Sequence, residues 1–140
     1  MYALKTYGLF LSHAWKNDEN YCELVKMLES ADEFEFKNYS VPSYDFPIDP
    51  DEAAQKNKLI SMLDEQIRSV DCVLILSSMY ASDSYWITKE IKIAKAYNKP
   101  VIAVKPKVQG KVPKAIQDDT VKVAAWDTES IVSAIKMHSL

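Results

Sequence analysis

The chain has 140 residues, of which 48% are hydrophobic and 26% charged, and a formal net charge of −3. That is the length and balance of one globular domain, spanning 1–140, with enough apolar side chain to build a real core. Weak acidity with scattered lysines argues against an electrostatic grip on nucleic acid, and no apolar run has the length of a membrane span or the pattern of an export signal.

The predicted elements alternate strand and helix. YGLFLSH (7–13) is a short apolar run with a polar end, the mark of a buried strand. NDENYCELVKMLES (17–30) carries Tyr21, Leu24, Val25 and Leu28 at helical spacing. FEFKNYSV (34–41) alternates as a strand nearer an edge does, and VPSYDFPIDP, with Pro42, Pro47 and Pro50, is a stiffened loop. Helical spacing returns in 51–69 through Leu59, Ile60, Leu63 and Ile67. DCVLILSS (71–78) is the most apolar strand, followed by a helix over roughly 83–98 with Ser82, Asp83 and Ser84 as candidate N-caps. KPVIAVKP (99–106) is a further strand, and QGKVPKAIQDDT a loop with one helical turn. TVKVAAW (120–126) is the last strand and TESIVSAIKMH (128–138) the closing helix.

Alternating strands and helices, with several strands apolar throughout, imply a parallel sheet covered on both faces. The fold class expected is α/β: a flavodoxin-like three-layer sandwich around a five-stranded parallel sheet. Such sheets hold ligands beyond the carboxyl ends of their strands, where the strand order reverses. SHAW (12–15), NYSVPSYDF (38–46) and SSMYASDSYW (77–86) fall at that rim.

Several tenants of this architecture are excluded by what the rim lacks. A phospho-receiver needs an aspartate at the carboxyl end of a central strand, where this chain has Ser77 and Ser78; Asp71 is at the opposite end. Dinucleotide fingerprints and phosphate loops need glycines, and Gly8 and Gly110 both stand alone. Cys22 and Cys72 have no metal-ligand spacing, so no metal is expected and both read as buried thiols of a cytoplasmic protein.

The residue that stands out is Glu90. In SDSYWITKEIKIA (82–94), Trp86, Ile87, Ile91, Ile93, Ala94 and Tyr97 share one helical arc, while Lys89, Lys92 and Lys95 point away; Glu90 projects from the apolar arc. A carboxylate in such a place can steady developing positive charge, grip a ribose diol or act as a base, or else pair with a lysine. Loss of nicotinamide from a ribose suits it: the leaving group is already cationic, and the transition state is oxocarbenium-like, as in glycoside hydrolysis.

The neighbouring residues each carry two readings. His13 and Trp15 either line a ligand rim or are satisfied by backbone and packing. Ser77, Ser78 and Tyr80 either bond a substrate or serve loop backbone. Trp86 either stacks on a base or anchors the helix, and the loop with Tyr39, Tyr44, Asp45 and Phe46 is a lid or a rigid connection. The lysines at 89, 92, 95 and 99 read as a solvated stripe, and His138 as solvent-facing.

FLSHAWKND, FKNYSVPSYDFPID, the long run from LDEQIRS to VIAVKP, and AAWDTESIVSAI together resemble the bacterial and archaeal TIR-like family that includes the ThsB sensor of the Thoeris antiphage system. The likeness runs from about residue 7 to residue 136, and its most specific part is the SxWxxxEI element from Ser84 to Ile91. The resemblance implies that Glu90 is the catalytic glutamate of an NAD⁺-cleaving enzyme. It implies that Ser12 and His13 line the nucleotide pocket; Trp15, Asp45, Ser77, Ser78 and Trp86 complete the expected nucleotide-contacting set. NAD⁺ would be substrate and not resident cofactor. Its products would include a nucleotide signal acting on a separate effector, and self-assembly into a homo-oligomer would be expected. The alternatives are a non-catalytic TIR-like interaction module and a nucleoside or nucleotide N-glycosidase or deoxyribosyltransferase.

Overall fold

Short apolar runs become strands and amphipathic runs become helices in strict alternation. The protein is described from a computed structural model covering residues 5–12, 19–39, 53–77, 80–106, 112 and 114–139, with backbone alone for 53–55, 80–84 and 115. The elements are β1 (Thr6–Leu11), α1 (Glu19–Glu29), β2 (Glu35–Asn38), α2 (Ala53–Arg68), β3 (Cys72–Leu76), α3 (Tyr80–Ala96), β4 (Val101–Val104), α4 (Lys114–Asp119), β5 (Lys122–Ala124) and α5 (Thr128–His138).

The strands form one parallel sheet in the order β2-β1-β3-β4-β5. This is the doubly wound flavodoxin-like order, and it reverses between β1 and β3. Period-two alternation divides the core. Phe10, Val73, Ile75, Val101 and Ala103 pack against α2 and α3 with Leu59, Leu63, Trp86, Ile87 and Ile91. Leu9, Leu11, Leu74, Leu76, Ile102 and Val104 meet α1 and α5 on the other face through Leu24, Leu28, Ile131 and Ile135. Every residue of β3 is buried, as a central strand covered on both faces requires, whereas β2 at the sheet edge exposes Glu35, Lys37 and Asn38.

Gly8 and Asp71 close the entry side of the central strands. The Gly8 N–H donates to Asp71 Oδ2 at 2.8 Å, and the Asp71 N–H donates to the Gly8 carbonyl at 2.8 Å. A Cβ on Gly8 would stand 3.0 Å from Tyr39 Cε2, so the ring of Tyr39 lies where only glycine leaves room for it.

Two local expectations are corrected. Helix α3 starts at Tyr80, so Ser82, Asp83 and Ser84 lie inside its first turns and not ahead of it. Cap preference reflects local competition between side chain and backbone, and the packing of a long amphipathic helix overrides it. Cys22 is exposed and Cys72 alone is buried. The inward positions of α1 are Leu24 and Leu28, which turn Cys22 toward water. The predicted single turn near residue 115 is a six-residue helix, α4, and α5 has its expected bounds. Among the described residues no helix is long and apolar enough to cross a membrane, and no cluster of His, Cys, Asp or Glu could hold a metal ion.

Candidate functional site

The reversal of strand order puts the carboxyl ends of β1 and β3 side by side, and Ser12 is the first residue beyond β1. Its backbone stays in the ladder: the Ser12 N–H donates to the Leu74 carbonyl of β3 at 2.9 Å. Alternation along β1 turns Phe10 toward α2 and α3, and Ser12, two residues on, follows it. Its hydroxyl donates to Glu90 Oε1 at 2.7 Å, joining the end of β1 to the middle of α3.

Glu90 is completely buried, and Ser12 retains 1% of its exposure. Around them the helix presents a largely apolar face: Trp86, Ile87, Ile91 and Ala94 are all buried in the core on the same face of the sheet. The solvent side of α3 is formed by Lys92 and Lys95, with Lys89 half-buried and Lys95 paired to Asp119 of α4. The carboxylate is therefore held inside the domain at the point where ligands of doubly wound sheets bind, with a hydroxyl donor on one oxygen.

Trp86 is buried and meets Tyr85 edge to face, with ring centroids 5.2 Å apart at 90°. Tyr85 is about half exposed, and Lys56 of α2 sits over its ring at 4.3 Å from the centroid. Ser77 is buried, and its hydroxyl donates to the Val104 carbonyl of β4 at 2.8 Å, tying the end of β3 to its neighbour. Of the residues singled out from the sequence, the structure thus brings together Ser12 and Glu90, with Trp86 one turn away on α3, and commits the Ser77 proton to backbone. His13, Trp15, Asp45 and Ser78 lie outside the described residues, as do Tyr44 and Phe46.

A hollow of about 450 Å³ lies at the far edge of the sheet between β5 and α5, lined among others by Lys105, Lys122, Glu129, Ser133 and His138. No sequence signal pointed there, and His138 is half-buried in its wall instead of facing solvent. The hollow's lysines, Lys105 and Lys122, and its carboxylate, Glu129, are all exposed.

The family described as Thoeris protein ThsB, TIR-like domain, matches residues 10–111, a span that includes Ser12, Trp86 and Glu90. The chain belongs to the ThsB TIR-like family. Among solved structures, this TIR-like domain is similar to the signal receiver domain of a modulated diguanylate cyclase from Desulfovibrio desulfuricans G20, with a TM-score of 0.61 and 12% identity over 96% of this chain and 94% of that one. It is similar to a conserved protein from Enterococcus faecalis V583, with a TM-score of 0.59 and 16% identity over 95% and 99% of the two chains. The Clostridium botulinum CMP N-glycosidase BcmB gives a TM-score of 0.52 and 12% identity over 92% and 98%. At these identities the likeness is one of fold. No curated protein matches the sequence.

Proposed function

We propose that this TIR-like domain cleaves the bond between nicotinamide and ribose in NAD⁺, with Glu90 as the catalytic carboxylate, and that the product is a nucleotide signal in antiphage defence. The observation that carries the reading is Glu90 itself: a fully buried carboxylate, hydrogen-bonded to Ser12, at the reversal of strand order. Membership of the ThsB family supplies the context of a defence system.

The chemistry asks little of an acid. As the C1′–N bond breaks, its electron pair neutralises the pyridinium nitrogen, and positive charge passes to C1′ and the ring oxygen. A negative carboxylate nearby, in surroundings of low polarity, stabilises that charge more strongly than water does. Water then adds to C1′ and loses a proton, giving ADP-ribose; attack by a hydroxyl or ring nitrogen of the same molecule gives a cyclic product instead. Apolar neighbours such as Ile87 and Ile91 keep the dielectric low around the acid.

The test is nicotinamide release from NAD⁺ by purified protein over a range of concentrations, alone and with lysate of phage-infected cells. Glu90→Gln keeps the shape of the side chain and removes its charge; it is expected to lower turnover at least about a hundredfold, the scale at which loss of one stabilising group is felt. Full activity in Glu90→Gln rejects the carboxylate mechanism. CMP serves as the comparison substrate, because the similarly folded BcmB is a CMP N-glycosidase. Turnover of CMP in preference to NAD⁺ would assign the site to nucleotide N-glycosidase chemistry.

A further inference from the structure

We infer that Ser12 is a positioning residue, holding the Glu90 carboxylate in register instead of binding the nucleotide; as a statement about catalysis this rests on the function proposed above. Two features of the molecule lead to it. Ser12 lies just past β1 yet is clamped there, its N–H bonded to the Leu74 carbonyl at 2.9 Å, so its Cα has the rigidity of the central sheet. A serine hydroxyl has a single proton, and this one is given to Glu90 Oε1 at 2.7 Å, so it is not available to donate to a sugar or phosphate.

The consequence is geometric. Glu90 has several rotatable bonds, and the aliphatic side chains beside it on the helix, Ile87 and Ile91, confer no direction on a charged group. The bond from Ser12 fixes one carboxylate oxygen relative to β1 and β3, the strands whose ends frame the expected ligand crevice. It thereby fixes where the second oxygen points. A residue that acts by aiming another changes the rate of the chemical step and leaves substrate affinity nearly intact.

Kinetics and stability of Ser12→Ala, Ser12→Thr, Glu90→Gln and the double variant Ser12→Ala/Glu90→Gln test this. For nicotinamide release, Ser12→Ala is expected to lower kcat about ten- to a hundredfold with KM for NAD⁺ within about twofold, since small misplacements of a reacting group cost on this scale. Ser12→Thr, which keeps the hydroxyl, should recover most of the loss. A raised KM with kcat preserved would mean that Ser12 touches substrate and would overturn the inference, as would an unchanged kcat in Ser12→Ala. Denaturant unfolding of the same set supplies a readout independent of turnover. The effects of Ser12→Ala and Glu90→Gln on the unfolding constant should fall short of multiplying by at least about fivefold, the mark of groups in direct contact. If the wild type releases no nicotinamide, the NAD⁺ reading fails, and this coupling alone decides whether Ser12 holds Glu90. Simple multiplication of the two effects would end the inference.

Discussion

A charge removed entirely from water needs partners, and Glu90 shows how little sequence distance says about where they come from. Its hydroxyl donor is Ser12, 78 positions away along the chain. Desolvating an ion costs several kcal/mol, and a hydrogen bond to a charged group contributes roughly 1.5–3 kcal/mol, so the Ser12 bond offsets part of that cost. A second residue-scale device is Asp71, which serves the Gly8 N–H through Oδ2 and the Gly8 carbonyl through its own backbone. Asp71→Ala leaves the Gly8 donor without that acceptor and is expected to cost about 1–3 kcal/mol, read as a lower denaturant midpoint with unchanged slope. Asp71→Asn, whose side-chain oxygen can still accept, should cost less.

At the level of elements, helix ends and strand ends are tied by side chains at identifiable points. Asp127 precedes α5 in extended conformation, and its carboxylate accepts from the Ser130 N–H at 2.7 Å and from the Ser130 hydroxyl at 2.9 Å. Asp127→Ala removes this cap, and thermal unfolding should show a loss of about 1 kcal/mol, with Asp127→Asn or Asp127→Ser recovering most of it. The turn just after α3 is tied to α2 by the Tyr97 hydroxyl, which donates to Asp64 Oδ1 at 2.8 Å; that bond holds the Tyr97 phenol above its ordinary range. Because the raised value belongs to the folded state, the contribution is intact below the ordinary phenol range and is lost only as the pH rises through the raised one. The Ser77 hydroxyl ties the end of β3 to β4 in the same manner. Ser77→Ala is expected to lower stability by about 1 kcal/mol while leaving KM for NAD⁺ unaltered, because its proton is already given to the Val104 carbonyl.

For the whole molecule, the two cysteines report independently on the core. Cys22 is exposed on α1, whereas Cys72 opens the central strand β3 and is buried, which pushes its thiol up to about 12. A disulfide reagent at pH 8 should therefore modify one thiol of the native protein promptly and the second only on unfolding. The variant Cys22→Ser should show no prompt phase. The sign of the linkage follows: the raised Cys72 value favours the folded state fully below pH 9.0 and ceases to do so as the pH approaches about 12.

How much of this was legible beforehand depended on the range over which each feature is decided. The alternation of apolar runs, the closing helix from Thr128 to His138 and the apolar face of α3 with Glu90 within it follow from periodicities of two and 3.6, which a linear reading contains. Local patterning also made the covered parallel sheet the natural outcome. It did not reveal the start of α3 at Tyr80, because packing overrode the cap preference of Ser82, Asp83 and Ser84. Nor did it reveal that Cys22 faces water or that the Ser77 proton serves Val104. Above all, linear patterning places a carboxylate on the apolar face of a helix, since that is a matter of angle along one element. Its meeting with Ser12 belongs to the folded chain, because hydrogen bonds form across whatever distance the sheet order closes, and the order β2-β1-β3 is what brings the end of β1 beside α3.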